Sequence, residues 1–228
     1  MEATERFASA LAAPATDVRL DVAALCIAAH AHPGLDIDAW CGRLDELAAA
    51  CPEPTFDGLR TYLFEREGFA GNTDDYADPE NSFLDSVVAR RTGIPITLSV
   101  VMIEVGRRLG MSIAGVGMPG HFLVKDPSRD EFWCDPFHGG ALYDVAECRA
   151  VFARIYGGES GFHPAYLAPI SPVAIVARML ANLEQGRLAG DPRHLAWMYQ
   201  LHAALPQLHD EERAQLQAKL ATLRARWN

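Results

Sequence analysis

One change of pattern near the middle of the chain most strongly limits how it can fold. The segment PITLSVVMIEVGRRLG, from Pro95 to Gly110, is typical of a helix, with proline at its start and glycine at its end. After Gly110, three short segments alternate apolar and polar residues: SIAGVGM, HFLVKD and EFWCDP. A turn containing proline and aspartate separates the last two and predicts a β-hairpin. A helix followed by a small antiparallel sheet indicates an α+β fold.

The N-terminal half is predicted to be mainly helical. Asp17 is the expected cap of the first long helix, and Asp78 followed by Pro79 is a typical start of a later one. With the sheet, this part makes a core over residues 1–160.

The C-terminal region, residues 161–228, is predicted to be a separate helical tail. Ser171-Pro172 and Asp191-Pro192 each place a capping residue before a proline, which favours two helix starts. No regular repeat period is present.

Charge and hydrophobicity argue against two classes of partner. The 30 acidic and 20 basic residues give a net charge of −10, which opposes binding to nucleic acid. The apolar run from Gly93 is too short to cross a membrane, and the acidic N-terminus does not resemble a secretory signal. We expect a cytoplasmic protein that binds neither nucleic acid nor membrane.

The five cysteines do not suggest a shared structural role. Their number is odd and no CxxC pair occurs, so neither a disulfide framework nor a zinc site is indicated. The sequence predicts no cofactor.

The predicted hairpin brings a histidine and an aspartate together. The simplest register pairs Lys125 with Glu131 and therefore His121 with Asp135, on one face of the sheet. A slip of two residues would keep both side chains on that face, whereas a slip of one would separate them. The same alternation puts Cys134 on the opposite face, as a core thiol. A His–Asp pair is either a structural hydrogen bond or the base and orienting carboxylate of a catalytic site.

A metal site is the other interpretation of this segment. His121, Asp135 and His138 offer two imidazoles and a carboxylate. Because no HxH or HExxH spacing is present, and His138 lies in a polar turn, the sequence predicts no metal.

Four blocks occur in order from residue 59 to residue 140: DPENSFL, RRTGIPITLSV, PGHFLV and DPFHGG. With them the chain resembles the SirB-type regulator family, whose core belongs to the transglutaminase-like superfamily. The resemblance implies a papain-like fold in which a helix packs on a small antiparallel sheet. It also implies a nucleophile at the helix N-terminus, a histidine that matches His121 and an aspartate that matches Asp135. A second helical region after the core fits residues 171–228.

By this resemblance, the position of the nucleophilic cysteine is Pro95, which has no nucleophilic atom. Thr97 and Ser99, in the first turns of the same helix, are the possible substitutes. Ser99 lies one turn deeper, roughly 5–6 Å along the axis, and alternatively bonds a backbone carbonyl one turn back.

Three functions remain open. The first is a catalytically inactive regulatory or protein-interaction module that binds a protein through its C-terminal helices. The second is a hydrolase or acyltransferase that uses Ser99 or Thr97. The third is a module that binds a peptide or small molecule in the cleft beside Gly120, with Asn81 and Ser82 as further lining residues.

Overall fold

The computed structural model describes residues 3–14, 18–129 and 131–225. These residues form ten α-helices and six short strands, which confirms the predicted α+β class. The helices are α1 (Ala3–Leu11), α2 (Leu20–Ala31), α3 (Ile37–Ala50), α4 (Phe56–Thr61), α5 (Leu84–Arg90), α6 (Pro95–Arg108), α7 (Val145–Tyr156), α8 (Pro172–Gln185), α9 (Pro192–Ala203) and α10 (Asp210–Ala225). None of the helices in these ranges is long and apolar enough to cross a bilayer.

Two predicted helix starts are confirmed: the side chains of Ser171 and Asp191 each accept a hydrogen bond from a backbone N–H in the turn that follows. Asp78 caps a short 3-10 turn, Pro79–Ser82, and the helix expected there begins only at Leu84. Asp17 lies outside the described residues, and α2 begins at Leu20.

Helix α6 is the centre of the molecule. From Pro95 to Gly106, every residue except Ile103 is buried. Helices α2, α3, α4, α5 and α8 pack around it together with the sheet. A helix that is buried on all sides forms a core rather than a surface, so the other elements are arranged around α6.

Two sets of strands flank this helix. The strands β1 (Ala70–Gly71) and β2 (Thr92–Gly93) form a short parallel pair. The other four form an antiparallel sheet in chain order, β3 (Ala114–Val116), β4 (Leu123–Lys125), β5 (Trp133–Asp135) and β6 (Ala141–Tyr143).

The predicted register of the hairpin is wrong by two residues. Val124 pairs with Cys134, which places Lys125 opposite Trp133 rather than opposite Glu131. The ammonium of Lys125 lies 4.7 Å from the centre of the Trp133 ring, a cation–π contact that the predicted register lacks. Because the shift is by two, each side chain keeps its predicted face.

The two faces of the sheet bury different clusters. Val124 and Cys134 face the main core around α6, as predicted for Cys134. Leu123 and Trp133 face a smaller cluster with Phe152 of α7. The sheet is therefore fixed from both sides.

The C-terminal helices contribute to the main core. Met179 and Leu180 of α8 and Met198 and Leu201 of α9 belong to the same apolar cluster as α2 and α6. By contrast, α10 has no buried residue. The division into 1–160 and 161–228 stays a prediction.

A buried ion cluster joins α6 to α2 and α3. Arg108 donates hydrogen bonds to Asp21 at 2.6 Å, to Glu104 at 3.0 Å and to Asp45 at 2.6 Å. Burial alone would raise the pKa of Asp21, but hydrogen bonds from Arg19 and Arg108 lower it to about 2. Arg108 thus compensates a carboxylate that has no access to water.

We predict that Arg108→Met lowers the free energy of unfolding by about 3–5 kcal/mol, because it leaves Asp21 and Glu104 buried with less compensation. Urea denaturation followed by circular dichroism measures the change. Arg43→Met is the control, since Arg43 pairs with Glu46 on the surface and should cost less than about 1 kcal/mol. Equal losses in the two variants would contradict the prediction.

Candidate functional site

Asp135, at the end of β5, is the centre of the candidate site. Its side chain is fully buried, and its two oxygens have different partners. Oδ2 accepts hydrogen bonds from Nε2 of His121 at 2.6 Å and from Nδ1 of His138 at 2.8 Å. Oδ1 accepts from the backbone N–H groups of Phe137 at 2.9 Å and His138 at 3.2 Å. Four donors therefore fix the orientation of this carboxylate.

A tight turn positions His121 against this carboxylate. The N–H of His121 donates to the carbonyl of Met118 at 3.0 Å, and Gly120 between them has a φ of +72°. A side chain at Gly120 would be strained and would lie 2.7 Å from Ile155 of α7. Glycine is therefore required both by the turn and by the packing of α7.

Arg178 of α8 braces the same turn from the other side. Its Nη2 donates to the carbonyl of Met118 at 2.7 Å and to that of His121 at 2.8 Å. The guanidinium also lies 5.5 Å from the centre of the Phe122 ring. A helix of the predicted C-terminal region thus holds the candidate histidine in place.

The hydrogen bonds to Asp135 set the electrostatics of the site. Burial alone would raise the pKa of Asp135, but hydrogen bonds from His121 and His138 hold it well below its usual range. The hydrogen bond to Asp135 raises the pKa of His138, although burial opposes this shift. Burial, together with the Asp135 charge, raises the pKa of the nearby Tyr143 to about 12. The site therefore favours an ionised Asp135 and a protonated His138.

Aromatic rings line the other side of His121. The ring of Phe137 meets that of His121 edge-on at 6.3 Å and that of Tyr76 edge-on at 5.7 Å. Tyr76 belongs to the loop before the short helical turn at Pro79–Ser82 and is 54% exposed. A continuous row of rings therefore connects the buried histidine to the surface.

Three residues at the start of α6 were considered for the position of the nucleophile. Pro95 occupies the first helical position and is buried. Ser99 is also buried, and its hydroxyl donates to the carbonyl of Pro95 at 2.8 Å. This is the backbone hydrogen bond one turn back that was the alternative to a role as nucleophile. The hydroxyl of Thr97 is buried and has no hydrogen-bond partner among the described residues. Within the described chain, His121 Nδ1 has no hydrogen bond either.

Cys134 does not take the place of this nucleophile. It is fully buried on the opposite face of the sheet, and burial raises the pKa of its thiol. Thiolate chemistry requires the opposite shift and access to substrate.

The suggested cleft residues have different surroundings. Asn81 is fully buried and donates to the carbonyls of Asp75 at 2.8 Å and Tyr76 at 3.3 Å, so it shapes the loop that presents Tyr76. Ser82 lines a cavity of about 260 Å³ together with Tyr76 and with Asn182 of α8. This cavity lies beside Ile94, the residue before α6.

His121, Asp135 and His138 also form a possible set of metal ligands. One nitrogen or oxygen of each lies within 4.8 Å of the others, and two imidazoles with one carboxylate suit several divalent metals. The hydrogen bonds from both imidazoles to Asp135 account for the same arrangement without a metal. The absence of a metal stays a prediction.

The sequence analysis missed Arg178 and Tyr76. Arg178 has no acidic residue three or four positions away on α8, which is an unusual surrounding for a half-buried arginine. Tyr76 is an aromatic residue in an otherwise polar, acidic loop. Both features can be seen in the sequence, but neither shows that the residue lies near His121 in the folded chain.

Comparison with known proteins identifies the family. The family model of the transglutaminase-like superfamily matches residues 29–181. The chain belongs to this superfamily. The finer resemblance to SirB-type regulators stays a prediction.

The similar superfamily proteins include two bacterial UPF0162 proteins. One, from Xylella fastidiosa strain Temecula1, is 44% identical over 129 residues, which cover 55% of this chain and 46% of the relative. Another, from Pseudomonas aeruginosa, is 36% identical over 150 residues, which cover 65% of this chain and 54% of the relative. The chain spans about half the length of these relatives.

A shorter match reaches a eukaryotic protein. F-box only protein 21 of Homo sapiens is 34% identical over 86 residues, which cover 38% of this chain and 13% of that protein. No solved structure matches the chain significantly.

We predict that His138→Gln destabilises this superfamily member more at about pH 5.5 than at about pH 8.5. Because the folded-state pKa of His138 is raised, its charge stabilises the fold fully below the ordinary pKa of about 6.5. That contribution is lost as the pH rises through the raised value.

Chemical denaturation at the two pH values measures the difference, which should stay below about 1 kcal/mol for a partly exposed group. His209→Gln, at an exposed position before α10, is the control and should show no such dependence. A loss for His138→Gln that is equal at both pH values would refute the prediction.

Proposed function

We propose that this chain is a catalytically inactive transglutaminase-like protein, and that it acts as a regulatory or protein-interaction module. One observation carries the proposal: the position expected for the nucleophile is occupied by Pro95, which has no nucleophilic atom. Covalent catalysis requires a nucleophile within about 3 Å of its base. Ser99, one turn further along α6, donates its hydroxyl to the Pro95 carbonyl. In the proposed role, neither residue serves the His121–Asp135 pair as a nucleophile.

Burial supports the same proposal. His121 is 7% exposed, and Asp135, Thr97 and Ser99 are 0% exposed. A substrate could reach these groups only if the surrounding turn opened. In the proposed role, the four hydrogen bonds to Asp135 instead keep the turn at Gly120 and His121 in one conformation.

The surface over this turn is suited to binding a polypeptide. Three of the five large hydrophobic side chains that are exposed in the described chain surround it: Tyr76, Ile155 and Tyr156, at 54%, 44% and 55%. Ile155 and Tyr156 lie next to Gly120, and Tyr76 reaches His121 through Phe137. Exposed aromatic residues grouped at one place are typical of interface hot spots. We place the partner here, in the cleft, rather than on α10.

The alternative is a hydrolase or acyltransferase with Ser99 or Thr97 as nucleophile. Thr97 gives it one supporting observation, because its hydroxyl has no hydrogen-bond partner among the described residues. Ser99 would first have to break its hydrogen bond to Pro95.

Chemical labelling distinguishes the two functions. We predict that a fluorophosphonate probe does not label the protein, and that a thiol probe labels only the partly exposed Cys41 and Cys51. Site-resolved mass spectrometry of the wild type, His121→Gln and Ser99→Ala gives the measurement. Fluorophosphonate labelling at Ser99 or Thr97 that disappears in His121→Gln would overturn the inactive assignment.

Peptide display tests the interaction role directly. We predict that random twelve-residue peptides selected on the wild type bind Tyr156→Ala at least about tenfold more weakly, as for a hot-spot aromatic. Phe132→Ala is the matched control, since Phe132 is also exposed but lies at the other end of β5 from Asp135. Equal binding to both variants, or no selected peptide at all, would count against the cleft as the binding surface.

A further inference from the structure

Within the described chain, Arg178 has no carboxylate at salt-bridge distance. Its hydrogen bonds there go only to the carbonyl oxygens of Met118 and His121. Burial lowers the pKa of its guanidinium. By contrast, Arg108 of α6 is matched by Asp21, Glu104 and Asp45. A carboxylate from a partner would therefore meet an uncompensated charge at Arg178.

The surroundings of Arg178 leave part of its guanidinium available. Only Nη2 makes hydrogen bonds to other described residues, so Nε and Nη1 have none among them. Nη1 lies 3.0 Å from where a Cβ would stand on Gly117, so the absence of a side chain there makes room for the guanidinium. The turn that Arg178 braces is flanked by both exposed tyrosines. Tyr156 lies next to Gly120, and Tyr76 approaches His121 through the ring of Phe137.

A second polar side chain continues this surface along α8. Asn182 follows Arg178 by one helical turn, on the same face of the helix. It lines the cavity that Tyr76 and Ser82 also line, and its amide has no hydrogen bond to another described residue. An amide offers both a donor and an acceptor, which suits the backbone of an extended peptide.

We propose that Arg178 binds a carboxylate of a peptide that lies across the turn at His121, with Asn182 bonding to the peptide backbone. This inference rests on the proposed interaction role and adds the chemistry that the partner must carry. Both N–H groups of Nη2 already donate to the carbonyls of Met118 and His121, so the carboxylate accepts a single charge-assisted hydrogen bond from Nη1 or Nε. Tyr76 and Tyr156 then contact the neighbouring side chains of the peptide. A single cation suits a singly charged carboxylate, whereas phosphate sites commonly gather several arginines.

Fluorescence polarisation with defined peptides tests the proposal. The probes are the twelve-residue peptides obtained by display, each made with N-terminal fluorescein as the free acid and as the C-terminal amide. Each is also made with every Asp and Glu replaced by its amide. We expect one of these exchanges to weaken binding about tenfold or more, as for the loss of one charge-assisted hydrogen bond. The C-terminal amide and the side-chain exchanges show which carboxylate Arg178 holds.

Variants assign the effect to Arg178. In Arg178→Met the difference between acid and amide peptides should disappear, while Arg178→Lys should retain part of it. Arg193→Met is the control, because it changes the net charge equally at an exposed position paired with Asp191. Circular dichroism establishes that each variant is folded. The wild-type ratio of acid to amide binding tests the proposal even where Arg178→Met fails to fold.

Four results would overturn the inference. Equal binding of the acid and amide peptides would show that Arg178 binds no carboxylate of the peptide. The proposed interaction role would still stand if Tyr156→Ala weakens binding. If folded Arg178→Met still binds the acid peptides more tightly than the amide peptides, a residue other than Arg178 binds the carboxylate. Displacement of the peptide by inorganic phosphate but not by acetate would identify a phosphate site instead. If no peptide binds at all, the interaction role of the cleft fails together with the inference.

Discussion

The near-complete burial of α6 is the constraint on which the rest of the structure depends. A helix that is apolar on all sides has no stable place except inside a shell of other elements, so five helices and the sheet pack around it. Polar groups that it carries inward are stabilised by partners within the core. Glu104 has Arg107 and Arg108, and Ser99 has the carbonyl of Pro95. By contrast, the hydroxyl of Thr97 has no hydrogen-bond partner among the described residues.

A second buried carboxylate organises the candidate site in the same way. Asp135 has no access to water, so its charge is stable only with the four donors that surround it. Two of those donors are imidazoles, and one of them belongs to a turn held by Arg178 from α8. An arrangement suited to orienting a catalytic base can therefore persist as a structural support for a binding surface. In our proposal, the chemistry is lost at Pro95, but the geometry of the turn is retained.

Much of the fold follows from local sequence patterns. Proline after a capping residue marked the starts at Pro172 and Pro192, and period-two alternation placed Cys134 on the core face. The hairpin register was wrong by two residues because alternation fixes the face of a strand but not its position along the partner. In the observed register Lys125 lies over the ring of Trp133, a contact that the pattern does not encode.

Local patterns were enough to predict the α+β class, the helix that begins at Pro95, and the shared face of His121 and Asp135. These depend on periodicity and on residues that favour helix starts, and both act over a few neighbouring positions. Packing between distant segments is what brings His138 and His121 together on Asp135, and Arg178 to the turn at His121. Arg178 lies 57 residues from His121, so their contact is set by how α8 packs in the core. No pattern within either segment specifies that packing.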